Sequence, residues 1–515
     1  MAGPVVLAYD VGTSGVKAVV VDASGHVLGS RVRTYGLETP RPDWVEQDIE
    51  VILTELGRAS RDVLETVAVP PAQVAGVALT AQMFSVVPVD DRGRALRPML
   101  SWLDQRAARE AAAIAAAAGE DGGYEMFDAA LTAKDIAPRI AWLVEQERGV
   151  ASRTAWYLDC KEAVAARLTG AVGIDPAGAS AFRLVDPATG EWDAERCARI
   201  GVDVARMPPI LSAVDTVGHL TPEAAALTGL AAGTPVVTGA GDVPASQIGA
   251  GATSHGDIHL SLGTAVYFGI TANRRLTDPG RRLGPLCHVV PGDWLLWLEV
   301  ATGGAALSWM NRLLAGIAGR TADPDHAATD RAVNAAAGEM ERLQFAPWLT
   351  GERVPLFDDG ARGAFVGLAL HHGPGHLVRA VMEGVASQIA WAFDYGLAYG
   401  VEPGAIRAVG GGSIGTAWTR IIAESLGRPV EIVADPQDAG ARGAAACALV
   451  GLGLATDLRA AVPPRVDRIV VPDPESVSVA RERGAAFRAL YPALRAVAPR
   501  PTAHPAAPGA VGAVG

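Results

Sequence analysis

The chain opens with an apolar run, Val5–Tyr9, that stops at Asp10. Two more runs follow, Val16–Val21 and Val27–Val32, separated by the turn signal Asp22-Ala-Ser-Gly25. Short apolar runs cut by Gly and Asp predict antiparallel strands joined by tight turns. From Asp48 to Val67 the spacing changes. Ile49, Ile52, Leu53, Leu56, Val63 and Leu64 recur at helical intervals and predict an amphipathic helix. Val74–Leu79 reads as a buried strand, and Val86–Val89 as another, closed by Asp90-Asp-Arg-Gly93. Arg106–Ala118 is Ala-rich and predicts a helix.

A Gly-rich region, Leu230–Gly251, separates the halves, and the pattern then restarts. Ile258–Leu262 and Val266–Ile270 predict strands around a Gly-Thr turn. A strand, an acid or serine, a Gly-Thr turn and a strand therefore occur twice, at Asp10–Thr13 and Ser261–Thr264. That echo predicts two similar halves facing a cleft. Asp330–Arg342, His376–Tyr399 and Ala417–Leu426 read as helices, and 499–515 as a flexible Pro/Ala/Gly tail.

Composition narrows the class. The 515 residues suffice for more than one domain, and 50% hydrophobic with 19% charged residues is ordinary for α/β globules. A net charge of −12 argues against nucleic acid as a partner. It also requires any phosphate site to be made locally attractive by a metal, a lysine or backbone N–H groups. Cys160, Cys197, Cys287 and Cys447 are far apart and read as buried, reduced thiols. No run approaches the roughly 18 apolar residues of a membrane span, and the start runs straight into a strand. A cytoplasmic enzyme fits these features.

Three segments carry candidate chemistry. In Asp10-Val-Gly-Thr-Ser-Gly-Val-Lys17, the carboxylate can hold Mg²⁺, directly or through water. Gly12 and Gly15 permit a tight turn whose N–H groups approach phosphate, Thr13 and Ser14 add hydroxyls, and Lys17 adds charge. Ser261-Leu-Gly263-Thr264 offers a second such turn, so that the pair would close on one triphosphate. In the third segment, Ala408–Gly415, the strand runs into Gly410, Gly411, Gly412 and Ser413 and then a helix, which leaves bare backbone for a base or ribose. Gly410, Gly412 and Gly415 also match G-x-G-x-x-G, with Glu431 about twenty residues on, so a nicotinamide dinucleotide site is an alternative for this segment. No P-loop motif occurs.

These segments resemble the FGGY carbohydrate kinase family of the actin-like ATPase superfamily, from about residue 5 to residue 490. The strongest match is Gly363-Ala-Phe-Val-Gly-Leu368 followed by His376-Leu-Val-Arg-Ala-Val-Met-Glu383. Trp44–Asp48, Ala137–Trp142, Gly239-Ala-Gly-Asp242 and Leu349–Pro355 support its xylulokinase branch. The resemblance implies an α/β fold of two ribonuclease-H-like domains flanking a catalytic cleft. The N-terminal, sugar-binding domain is expected over 1–249 and the C-terminal, ATP-binding domain over 250–490. It implies ATP and Mg²⁺ as cofactors, D-xylulose as acceptor, and Asp242 as general base beside Asp10. A carboxylate on a flexible Gly-rich turn after the strand Pro235–Thr238 could reach into such a cleft.

Two positions depart from that branch. Met83-Phe84 stands where its members carry Met-His, and Val243 follows Asp242 where they carry Asn. Each change removes a polar group that could bond a sugar hydroxyl. Phe84 could instead stack on an apolar sugar face. Asp104 and Arg106, in Trp102–Arg106, read either as sugar contacts or as an exposed ion pair at a helix start. Glu352 and its neighbours in the 349–355 segment serve either ion pairing or catalysis. Another ketose or a polyol, or a regulator that binds nucleotide without turnover, are the alternatives to xylulose phosphorylation. The partner expected is a small sugar, without nucleic acid or membrane. The sequence leaves open whether a second copy pairs as a homodimer.

Overall fold

The computed structural model describes residues 3–119, 123–317, 326–336, 338, 340 and 342–497. The three expected N-terminal strands, β1 (Val5–Val11), β2 (Gly15–Asp22) and β3 (Val27–Thr34), form an antiparallel meander. The expected amphipathic helix is α1 (Ile49–Val67). Asp48 caps it by accepting the Glu50 N–H, and Ile49, Ile52, Leu53 and Leu56 are buried on its inner face. β4 (Val74–Ala81) runs parallel to β1. β5 (Thr216–His219) and β6 (Pro235–Val237) complete a sheet of order β3-β2-β1-β4-β6-β5, with β6 parallel to β4.

Val86–Val89 does not join this sheet. Phe84 adopts φ 62°, which turns the chain away, and Val87–Val89 pairs with Trp156–Leu158 in a separate ribbon. The Ala-rich helix begins at Ala108, because Asp104 holds both the backbone N–H and the guanidinium of Arg106.

The second half repeats the plan. β7 (Ile258–Leu262), β8 (Val266–Ala272), β9 (Leu286–Cys287) and β10 (Trp294–Val300) are antiparallel. β11 (Ile406–Val409) runs parallel to β7, and β12 (Val430–Val433) parallel to β11. β13 (Val466–Val470) closes the order β9-β10-β8-β7-β11-β12-β13. The echo read from two Gly-Thr turns thus extends to topology: a meander followed by two parallel strands, twice.

Helices α2 (Asp242–Gly249), α3 (Gly304–Ile317), α4 (Pro374–Leu397), α5 (Thr416–Leu426) and α6 (Ala439–Gly451) matter for the site. The Gly-rich separator Leu230–Gly251 is in fact β6 followed by α2. Its glycines serve close packing. A Cβ on Gly249 would lie 1.8 Å from the Ala439 carbonyl oxygen, and one on Gly443 would lie 1.8 Å from that of Ala245. α2 and α6 therefore cross backbone to backbone, in an Ala-rich core between the halves.

The helix expected over Asp330–Arg342 is observed as His326–Ala335. The last helix, Pro474–Val497, passes the expected limit at residue 490. The expected tail, 499–515, lies outside the described residues. Among those residues, no helix is long and apolar enough to cross a membrane.

Candidate active site between the two halves

β1, β4 and β6 are parallel, so their carboxyl ends share one edge of the first sheet. That edge carries Asp10, the 82–84 turn and Asp242, the position where open α/β sheets gather ligand-binding groups. Asp242 does not sit on a flexible turn. It is the first residue of α2, and its Oδ1 accepts from the Val243 N–H at 2.9 Å. The helix thereby fixes the carboxylate in place. Burial, and then the charge of Asp10, push the Asp242 carboxyl up to about 7. Burial also raises that of Asp10, while Lys17 opposes the shift.

The first Gly-Thr turn is built as expected. The Gly12 N–H donates to the Gly15 carbonyl at 2.9 Å, and Ser14 is exposed. Thr13 is held from three directions. Trp102 Nε1 donates to its hydroxyl at 2.9 Å, that hydroxyl faces Gln82 Oε1 at 3.3 Å, and Gln47 Nε2 donates to its carbonyl at 2.8 Å. Sequence reasoning missed Gln47, Gln82 and Trp102 as supports, because they come from three separate segments. Lys17 does not stand free at the turn. Its Nζ donates to Asp438 Oδ1 at 2.8 Å and to the Gln437 carbonyl, which ties the first half to the start of α6. A Cβ on Gly440, in the first turn of α6, would lie 2.9 Å from Asp10 Oδ2. The second half thus approaches the carboxylate edge directly.

The second Gly-Thr turn faces the same place. Tyr267, just beyond it, packs in the same cluster as Met83 and Val243. Burial and the charges of Asp242 and Asp10 keep its hydroxyl protonated. Thr264 is exposed, and its carbonyl accepts from the N–H groups of Gly303 and Ala305, while Gly304 donates to Gly263. Glu352 anchors this arrangement. Its Oε1 accepts from Ala301 N and Arg353 N, each at 2.8 Å, and burial pushes its carboxyl up to about 8. Glu352 is thus a positioning residue: it fixes the 301–304 loop, and the loop fixes the turn. Glu352→Ala is expected to raise the KM for ATP about tenfold and leave that of the acceptor unchanged, with Glu352→Gln restoring the wild-type value. Initial rates over an ATP range check this, and a shift in both KM values would refute it.

The glycine segment lies beside that turn. β11 neighbours β7, and a Cβ on Gly410 would meet the Leu262 carbonyl at 2.8 Å. Gly411 is exposed and Gly412 half-buried. Ser413 departs from expectation: it is fully buried, and its hydroxyl bonds the Gly410 carbonyl at 2.7 Å, so it closes the turn instead of meeting a ligand. The dinucleotide alternative fails here too. Glu431 is committed to Arg407 at 3.0 Å and offers no carboxylate to a ribose.

On the acceptor side, Met83 and Val243 are buried in one apolar cluster, with Phe84 packed against it. Phe84 does not present a free face. One side of its ring stacks on Trp297 of the second half. Asp104 and Arg106 form an ion pair, but not an exposed one. Asp104 is fully buried, Arg106 Nη2 reaches it at 2.7 Å, and the guanidinium lies 3.8 Å from the Trp44 ring centroid. Buried among aromatic rings, the pair is a structural brace held against Trp44 and Trp142. Arg139, quoted in the sequence only as part of a matching segment, proves to be the buttress of the 82–84 turn. It is fully buried and donates to the carbonyls of Phe84, Ser101 and Lys134.

The two sheets, each a meander followed by two parallel strands, match the actin-like ATPase fold of carbohydrate kinases. The N-terminal domain of the FGGY family of carbohydrate kinases matches residues 5–249, and the family's C-terminal domain matches 258–452. The chain belongs to the FGGY family of carbohydrate kinases and is an ATP-dependent sugar kinase. Its relatives include the xylulose kinase of Escherichia coli K12, 28% identical over 487 residues, which span 94% of this chain and 98% of that protein. The gluconokinase of Bacillus subtilis is 27% identical, over 75% of this chain and 76% of that one. The crystal structure of xylulose kinase from Rhodospirillum rubrum superposes with a TM-score of 0.85 at 29% identity, covering 96% of this chain and all of that one.

Proposed function

We propose that this chain transfers the γ-phosphoryl group of ATP to D-xylulose, yielding D-xylulose 5-phosphate and ADP in the cytoplasm. The observation that carries the reading is Asp242, pinned at a helix start beside Asp10 with its carboxyl pushed up to about 7, next to Val243, which packs in one cluster with Tyr267 just beyond the second Gly-Thr turn. The acceptor hydroxyl attacks the γ-phosphorus, the bond to the β–γ bridging oxygen breaks, and Asp242 takes the hydroxyl proton. Such a base contributes about 10²–10⁴-fold. Positioning and charge neutralisation supply most of the rest.

Gly12, Thr13, Ser14, Gly263 and Thr264 are assigned to the phosphates, and Gly411 and Gly412 to the nucleoside. Among the described residues, no group of three or more His, Cys, Asp or Glu could hold a metal by itself. Mg²⁺ binds through one or two carboxylates and takes its other ligands from phosphate and water. Asp10 would hold it, and the ion would neutralise charge on the transferring group.

Phe84 and Val243 favour a second reading, in which a less hydroxylated ketose or a polyol is the acceptor. A panel of ketoses, aldonates and polyols in a coupled ADP-release assay decides between them. D-Xylulose is expected to give the highest kcat/KM. A polyol or an aldonate used at least about tenfold better would replace it.

A further inference from the structure

One residue at the acceptor wall has no role in the reading above. Trp297 lies on β10 in the second half, paired with Gly269 of β8. Its ring stacks on Phe84 of the first half, with centroids 5.1 Å apart and planes at 26°. Met83, Val243 and Leu295 pack in the same cluster, and Val243 directly follows the proposed base. The wall is therefore largely apolar; besides Trp297, Tyr267 brings a polar atom to the same cluster. Trp297 Nε1 is buried and has no hydrogen-bond partner among the described residues. An indole N–H can only donate, and buried donors almost always meet an acceptor. Met83, Phe84, Val243 and Leu295, packed in its cluster, have no side-chain oxygen or nitrogen to give, and the Tyr267 hydroxyl of that cluster is not bonded to it. Its partner is most simply a group that enters the cleft.

We infer that Trp297 is a specificity-determining residue: its Nε1–H donates to one oxygen of the acceptor, while the indole ring, backed by Phe84, covers a C–H edge of the same molecule. The inference rests on the assignment of Asp242 as base, because the wall adjoins that residue. It also sets an acceptor class. The molecule is a small ketose or polyol with one oxygen within reach of the indole and a bare C–H stretch beside it. A hydroxyl pressed against the indole ring would lose its water and gain no partner. The stack spans the two halves, so both of them shape this wall.

Trp297→Phe keeps an aromatic ring and removes the N–H. Wild type and variant are compared on the best acceptor of the panel and on its monodeoxy analogues, with ADP release as readout. The variant is expected to lose about tenfold in kcat/KM on the parent acceptor, with the KM for ATP unchanged. One analogue, lacking the bonded oxygen, should be used equally by both proteins. A variant that matches wild type on the parent acceptor overturns the inference, as does one that is weakened equally on every analogue. If the best acceptor is a polyol, the D-xylulose reading falls and the Trp297 comparison is made on that polyol. Asp242→Asn with normal turnover would instead remove the base assignment on which both rest.

Discussion

An Asp242→Asn enzyme is expected to turn over at least about 10²-fold more slowly than wild type and to bind ATP unchanged. Asparagine preserves the side-chain shape and the start of α2 but cannot take a proton; Asp242→Ala should show the same loss. The same substitution is expected to raise the melting temperature at pH 8. The Asp242 carboxyl is pushed from its ordinary 3.8 up to about 7, by burial and then by Asp10. Between those values the folded protein holds a proton that the unfolded chain has released. The stability tied to this group is therefore full below about pH 4 and is lost as pH rises through about 7. At pH 8 the wild type carries a confined charge beside Asp10, and asparagine removes that cost. Activity runs the other way, because a proton acceptor must be ionised. In the free enzyme kcat/KM should fall below about pH 7, tenfold for each unit. Thermal unfolding at pH 5 and pH 8, with ADP release at both, tests the whole set. Normal turnover by the asparagine variant, or a thermal gain no larger at pH 8 than at pH 5, would contradict it.

Gly443→Ala should be among the most damaging single-methyl changes away from the chemistry. The new carbon would lie 1.8 Å from the Ala245 carbonyl oxygen, which belongs to the α2 backbone and cannot rotate aside. The helices would have to separate, opening the Ala-rich core between the halves. Overpacking of this kind costs about 1–3 kcal/mol, and more where backbone must move. Gly484→Ala is the control. It lies within the last helix with nothing within 4 Å, and should stabilise by about 0.5–1 kcal/mol. Denaturant midpoints for both variants decide the matter. Equal stability of Gly443→Ala and wild type would mean that the crossing is loose.

The meanders, α1 and the two Gly-Thr turns were legible because each is written locally, as apolar runs ended by small or acidic residues. Asp10 stood out locally, at the end of the first apolar run, whereas Asp242 was singled out through the resemblance to the FGGY family. The partners of the turn residues were not legible. Gln47, Gln82 and Trp102 reach Thr13 from separate segments, and Asp438 reaches Lys17 from the far half, so no spacing announces them. Ser413 looked like a ligand because its neighbours are glycines, yet the turn uses its hydroxyl internally. Asp104 and Arg106 carried a charge pattern that suits a surface; burial between tryptophans is a tertiary fact. Trp297 had only a faint signal, a second tryptophan in one strand. Strand alternation puts it with Leu295 and Glu299, on the opposite face from Leu296, Leu298 and Val300, which are buried.

The crossing of α2 and α6 has a thermodynamic consequence. α2 begins at the base, and α6 begins beside the aspartate that receives Lys17. On the roles proposed above, the contact between them would serve as a pivot with one arm at the acceptor and the other at the nucleotide. If filling one arm tilts the pivot, whatever factor by which the sugar tightens ATP must equal the factor by which ATP tightens the sugar. An enzyme geared this way grips its nucleotide hardest when an alcohol, and not water, is there to receive the phosphate.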